Sequence, residues 1–168
     1  MQNAFGYAWI TGATGGVGSA FARLLASRNQ PLLLMGRSQD KLQKLQAELQ
    51  AKYPQLPICC IVADLANEGD RYAAFAKITQ ENIQIAMLVN VAGMDVQKPF
   101  EKYTQEKLTG QCRVNFEAAV SLCRFAIERK AAHLDIFLRY FCKRRIPVPL
   151  VCQIRNDTAN RQLWIFSL

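Results

Sequence analysis

The chain is poor in the residues that build metal and disulfide sites. Among its 168 residues there is one histidine, His133, and the six cysteines include no Cys-x-x-Cys pair. A zinc site and a secreted disulfide framework are therefore not expected, and the metal ligand set is none. No apolar run approaches the roughly 18 residues of a membrane span. The first residues, MQNAFGYAWITGATGG, contain neither a basic segment nor a long apolar one, so no signal peptide is read. A cytoplasmic protein with no membrane span is the expectation. Glycine is missing after Gly110, which leaves the last third of the chain without its commonest loop residue.

What the chain does have is apolar content, 51%, and a net charge of +8. The first supports a real core in what the length makes one domain. The second invites nucleic acid as a partner, but its distribution argues against one. Residues 1–130 carry 15 Lys/Arg against 11 Asp/Glu, and residues 131–168 carry 6 against 2. Half of the excess sits in a short tail, where Lys143 to Arg145 is read as a solvated run without interleaved stacking aromatics. No nucleic-acid partner is expected.

Apolar runs alternate with helical patterns along the first 130 residues. Strands are predicted at Phe5 to Ile10, Pro31 to Met35, Pro57 to Leu65 and Ile85 to Gly93. The run PLLLM reads as a strand buried on both faces. Helices are predicted from Gly16 to Arg28, with Val17, Phe21, Leu24 and Leu25 as the apolar stripe, and after a Ser38 cap, with Leu42, Leu45 and Leu49 inward. Two more follow, from Asn67 to Asn82 and from about Thr104 to Lys130. Such alternation implies βαβ units with helices on both faces of a parallel sheet. The fold class is α/β, a doubly wound parallel sheet of about four strands in the order 3-2-1-4. The neighbours Cys59 and Cys60 should then point to opposite faces of their strand.

The stretch TGATGGVG, Thr11 to Gly18, lies between the first strand and the first helix. A helix N-terminus offers unpaired N–H groups and a positive dipole end, which suits a pyrophosphate. Gly12 would make the turn out of the strand, Gly16 would admit phosphates to the backbone, and Gly18 would allow helix and sheet to pack closely. The spacing is Gly-x-x-x-Gly-x-Gly, and no Lys-Ser or Lys-Thr follows, so a nucleoside-triphosphate loop is excluded. After the second strand, Gly36 occupies the place where an NAD site puts an acid, and Arg37 follows. A guanidinium suits a 2′-phosphate, so NADP(H) is expected in preference to NAD(H).

The same residues resemble the short-chain dehydrogenases/reductases. TGATGGVG matches their Thr-Gly-x-x-x-Gly-x-Gly motif, and GRS after the second strand is similar to their NADP-preferring members. Asp64 in ADL resembles their adenine-contacting acid. NVAG, Asn90 to Gly93, resembles their Asn-Asn-Ala-Gly motif with Val91 in place of the second Asn. VNF places Asn115 at their mid-helix catalytic Asn. The resemblance covers roughly residues 5 to 130 and implies a Rossmann-like fold and hydride transfer between a nicotinamide cofactor and a carbonyl or alcohol substrate. It implies cofactor contacts from Gly12, Thr14, Gly15, Gly16, Val17, Gly18, Arg37, Asp64, Asn90, Ala92 and Gly93. It gives Asn115 a water-holding part in catalysis. Members of the family often pair through the helix around Asn115 and the next one, so a homo-oligomer is a further expectation for the full-length form.

The family's Ser and Tyr-x-x-x-Lys do not appear where they should. Tyr103 to Lys107 has the spacing but precedes Asn115, and is read as coincidence. Tyr140 has Lys143 at i+3 and an arginine, Arg144, at i+4, Ser121 lies within a helix, and Ser167 is penultimate. The chain divides, on this reading, into a 1–130 NADP-binding region and a basic 131–168 tail without an assigned strand. The tail is expected to come from a shifted reading frame, with a divergent tail as the alternative. A truncated sheet would leave the fourth strand at an edge, and edges of that kind aggregate, so poor solubility is expected. Little or no dehydrogenase activity is expected of the chain. The alternative is a non-catalytic NADP(H)-binding protein.

Overall fold

The computed structural model describes residues 6–94, 99–129, 133–139, 149–155 and 164–166. Side chains are described up to Arg129, Phe100 excepted. Phe5, Tyr140, Lys143, Arg144 and Ser167 lie outside the described residues.

The elements follow the predicted alternation. They are β1 (Tyr7–Thr11), α1 (Gly16–Ser27), β2 (Leu32–Gly36), α2 (Gln39–Lys52), β3 (Ile58–Val62), α3 (Glu68–Gln80) and β4 (Ile85–Asn90). A short 3-10 turn (Phe100–Lys102) leads to α4 (Gln105–Cys112). A π-helical segment (Arg113–Ala118) joins α4 to α5 (Ala119–Glu128). Three strands follow: β5 (His133–Arg139), β6 (Pro149–Arg155) and β7 (Trp164–Phe166).

Strands β3-β2-β1-β4 stand in the expected order, all parallel. The expectation that β4 forms an edge is corrected. β5 pairs with it in parallel, Leu88 opposite Leu134, and β6 and β7 extend the sheet antiparallel. The ground for poor solubility falls with that edge. His133, read as a tail residue, opens β5. The strand HLDIFLR escaped the sequence pattern because Asp135 breaks its apolar run and no glycine marks its ends.

Alternation along the strands builds two cores. Trp9, Leu33, Met35, Ile61 and Leu88 face Phe75 and Ile78 of α3 and Leu122 and Ala126 of α5. Ala8, Ile10, Leu32, Leu34 and Val89 face Ala22, Leu25 and Ala26 of α1 and Leu42, Leu45 and Leu49 of α2. β2 is buried along its whole length, and each fully buried leucine there stabilises the fold by about 1.5–3 kcal/mol. Cys59 packs into the first core and Cys60 into the second, on opposite faces as expected. The stripe predicted for α1 is half right. Leu25 is buried, but Leu24 and Val17 are exposed, and Gly18, Ala22 and Ala26 take the inward places.

Caps set the helix starts. Ser38, Asn67 and Thr104 each accept a hydrogen bond from a backbone N–H of the first turn. α1 has no such cap. Its N-cap is Gly15, without a side-chain bond, and its first turn holds no acid.

Candidate functional site

A cleft of about 550 Å³ opens where the C-terminal ends of β1, β2 and β4 meet the start of α1. That is the place where open parallel sheets bind ligands. Its lining includes Gly12, Thr14, Gly15, Gly16, Val17 and Gly18 from the loop, Arg37 after β2, Asp64 after β3, and Ala92 and Gly93 after β4. Ten of the predicted residues thus converge on one surface. Asn90 and Asn115 do not line it.

The three spaced glycines have three different reasons to be glycine. Gly12 has φ +61°, and a Cβ there would lie 2.9 Å from the Ala92 Cα. Gly18 carries α1 across the turn so closely that a Cβ would overlap the Gly12 carbonyl oxygen. Both are needed for the fold itself. At Gly16 a Cβ would meet nothing within 4 Å. The protein alone does not require glycine there, and the bare backbone leaves room for a ligand beside the uncapped N–H groups of α1.

Thr11 and Asn90 lock the back of the loop. The Thr11 hydroxyl donates to Asn90 Oδ1 at 2.8 Å and accepts from the amides of Val91 and Ala92, each at 3.1 Å. Asn90 is buried, and its Nδ2 has no partner. It supports the β1–β4 junction directly behind the cleft. Thr11 received no role from the sequence, although it opens the motif.

Asn115 sits in the π-helical segment. Its Nδ2 donates to the Met94 carbonyl at 2.8 Å, and its Oδ1 accepts from the Met94 amide at 2.7 Å. Both ends of the amide are spent on holding Met94, which lines the cleft together with Val114. The side chain thus fixes a wall of the cleft.

Lys41, Leu65, Met94 and Val114 also line the cleft and were not singled out from the sequence, and Ser38, read only as a helix cap, lines it too. Lys41 was legible in principle, as a cation in the first turn of α2, four residues after Arg37. Both are exposed. Asp64 Oδ1 accepts from the Ala66 amide at 3.0 Å, and its own N–H donates to Asp70 at 2.8 Å, so the loop after β3 is internally braced. Tyr103 and Lys107 lie outside the cleft lining. Displaced titration is found elsewhere in the fold, at Tyr7 and Cys60 among other groups. Burial, then Cys59, pushes the Tyr7 phenol up, and burial, then Cys59, does the same to the Cys60 thiol. Among the described residues, no helix is long and apolar enough to cross a membrane.

The comparisons with known proteins agree with this geometry. A family model described as short chain dehydrogenase matches residues 7–133. A very-long-chain 3-oxoacyl-CoA reductase of Eremothecium gossypii is 33% identical over 96% of this chain and 48% of its own. One of the same description from Pyrenophora tritici-repentis is 27% identical over 96% of this chain and 49% of its own. The chain thus spans about half the length of the curated relatives it matches. Among solved structures, a short-chain dehydrogenase from Sphingobium yanoikuyae in complex with NADPH superposes with a TM-score of 0.69. It is 28% identical, over 74% of this chain and 48% of that one. With the glycine loop, the strand order and the family match in agreement, the chain belongs to the short chain dehydrogenase family.

Proposed function

We propose that this chain is the NADP(H)-binding part of an oxidoreductase that transfers hydride between the cofactor and a carbonyl or alcohol. The observation that carries this reading is the open space over Gly16 at the uncapped start of α1, with Arg37 on the same cleft. The α1 N–H groups would hold the pyrophosphate, Arg37 the 2′-phosphate, and Asp64 the adenine side. Bound there, the cofactor supplies the hydride. The names of the curated relatives point to a 3-oxoacyl thioester as the substrate of the whole protein. Phe116 is 71% exposed on the α4–α5 line, with Val120 exposed one turn on, and self-association would use that face.

The family's Ser and Tyr-x-x-x-Lys have no counterpart in this sequence after Asn115. We therefore expect cofactor binding with little or no turnover. An unperturbed phenol, with a pKa of about 10, is a poor base at neutral pH without a cationic neighbour. Titration of the purified chain with NADPH and NADH, followed by nicotinamide fluorescence, tests the reading. NADPH should bind at least about tenfold more tightly, and Arg37→Ala should remove that margin. Equal affinity for both cofactors would overturn the NADP preference, and binding of neither would overturn the cofactor site. A reading-frame shift is tested at the gene. Translation of the other two frames downstream of Asn115 should show a serine-ended strand and then Tyr-x-x-x-Lys.

A further inference from the structure

Arg71 is the one cation among the buried polar and charged residues described, at 3% exposed. It occupies the first turn of α3, where a positive charge meets the positive end of the helix dipole. A charge so placed needs strong partners, and it has two. Its Nη1 donates to the Leu65 carbonyl at 2.7 Å, and its Nη2 pairs with the Glu117 carboxylate. Leu65 lines the cleft beside Asp64. Glu117 lies in the π-helical segment, two residues after Asn115, which holds Met94 on another wall of the cleft. Asp70, the neighbour of Arg71, accepts from the Asp64 amide. The first turn of α3 therefore grips the loop after β3 at two successive residues, and Arg71 ties that loop to the segment that fixes Met94.

We infer that Arg71, with Glu117 as its anchor, is a positioning residue for the adenine side of the cofactor cleft. It touches no cofactor atom. It sets the place of the Asp64–Leu65 loop relative to the π-helical segment, and through Asn115 it keeps the two walls in step. The inference rests on the cofactor reading proposed above. It goes beyond that reading in giving the recognition of one half of the dinucleotide to a pair outside the cleft lining.

The test separates the two halves of the ligand. Adenosine 2′,5′-bisphosphate probes the adenine side, reduced nicotinamide mononucleotide probes the other, and a thermal melt monitors the fold. Glu117 is half exposed, so Glu117→Ala should fold. It should weaken adenosine bisphosphate by about tenfold, the worth of one charge-assisted hydrogen bond, and leave the mononucleotide unchanged. Glu117→Gln keeps an acceptor for the guanidinium and should recover most of the loss. Arg71→Lys, which cannot reach both partners as a fork, should behave like Glu117→Ala. Equal weakening of both probes, or no change in either, would overturn the inference while leaving the cofactor site standing. A wild-type chain that binds neither probe would overturn the cofactor reading and this inference together.

Discussion

Asn115 closes on Met94 from both sides, giving a hydrogen bond to its carbonyl and taking one from its amide, at 2.8 and 2.7 Å. The two residues are 21 apart in sequence and belong to different layers, one on the π-helical segment and one just after β4. A side-chain amide carries its donor and its acceptor on separate atoms, so it can answer the carbonyl and the N–H of one residue at once. Asn115→Leu leaves both Met94 groups without partners, and Met94 is only partly buried. The loss should be about 1–3 kcal/mol in urea unfolding. NADPH should also bind less tightly, because Met94 lines the cleft. Asn115→Asp keeps the acceptor and loses the donor, so it should fall between the two. Unfolding curves identical to wild type would show that the clamp contributes nothing in solution.

The glycine loop yields a pair of substitutions with opposite signatures. Gly18→Ala drives a methyl into the Gly12 carbonyl and should cost about 3 kcal/mol through overpacking. It should be read in the melt before any ligand is added. Gly16→Ala meets open space, and should leave the melting temperature unchanged or slightly raised, since alanine suits a helix better than glycine. The same change should weaken NADPH by tenfold or more, about 1.4 kcal/mol. A Gly16→Ala protein that binds NADPH like wild type would show that no phosphate needs the bare backbone at that position.

These residues also show what could be read from sequence. Gly12 and Gly18 were legible because a local backbone constraint forces the residue type in this loop: at both positions a Cβ would strike backbone. The doubly wound fold followed from the alternation of helical patterns with apolar runs such as PLLLM, which fit strands covered on both faces. Arg71 was not legible. An arginine in a polar helix start reads as a solvated charge, and its burial depends on Glu117, 46 residues away. Asn90 was assigned to the cleft by position in its motif, but its depth depends on Thr11, 79 residues distant. Val17 and Leu24 matched the helical period, yet the same period also sweeps the ligand face and the solvent face of α1.

The cysteines offer a test of packing that needs no ligand. Cys60 is partly buried between β3 and α2, and its thiol donates to Gln46 Oε1 at 3.7 Å. Burial first, then Cys59, raises its pKa against a smaller lowering by Lys77. Only the thiolate reacts with alkylating agents, so Cys60 should label slowly at neutral pH. Cys112 is exposed and should label well before it. Peptide mapping after timed treatment with iodoacetamide reads the order directly. Gln46→Ala opens the site to water and should speed the labelling of Cys60 without touching that of Cys112. Equal rates at the two cysteines would mean that the α2–β3 contact opens freely in solution.

The pair Arg23 and Glu48 joins α1 to α2 through two hydrogen bonds, Nε to Oε1 at 2.7 Å and Nη2 to Oε2 at 2.9 Å. The hydrogen bond from Arg23 holds the Glu48 carboxyl below its ordinary value, with the charges of Arg23 and Lys52 acting in the same direction. A carboxyl lowered in the folded state stabilises the fold above its unfolded pKa, about 4.3. That contribution fades as the pH falls through the lower folded value. Both side chains are about half exposed, so salt should screen much of the effect. Glu48→Gln should therefore lower the melting temperature slightly at pH 7 in dilute buffer. The difference should shrink below about pH 4 and shrink again in roughly 1 M salt. A difference that stays constant from neutral pH down through the carboxylate range would show that the Glu48 charge is not its source.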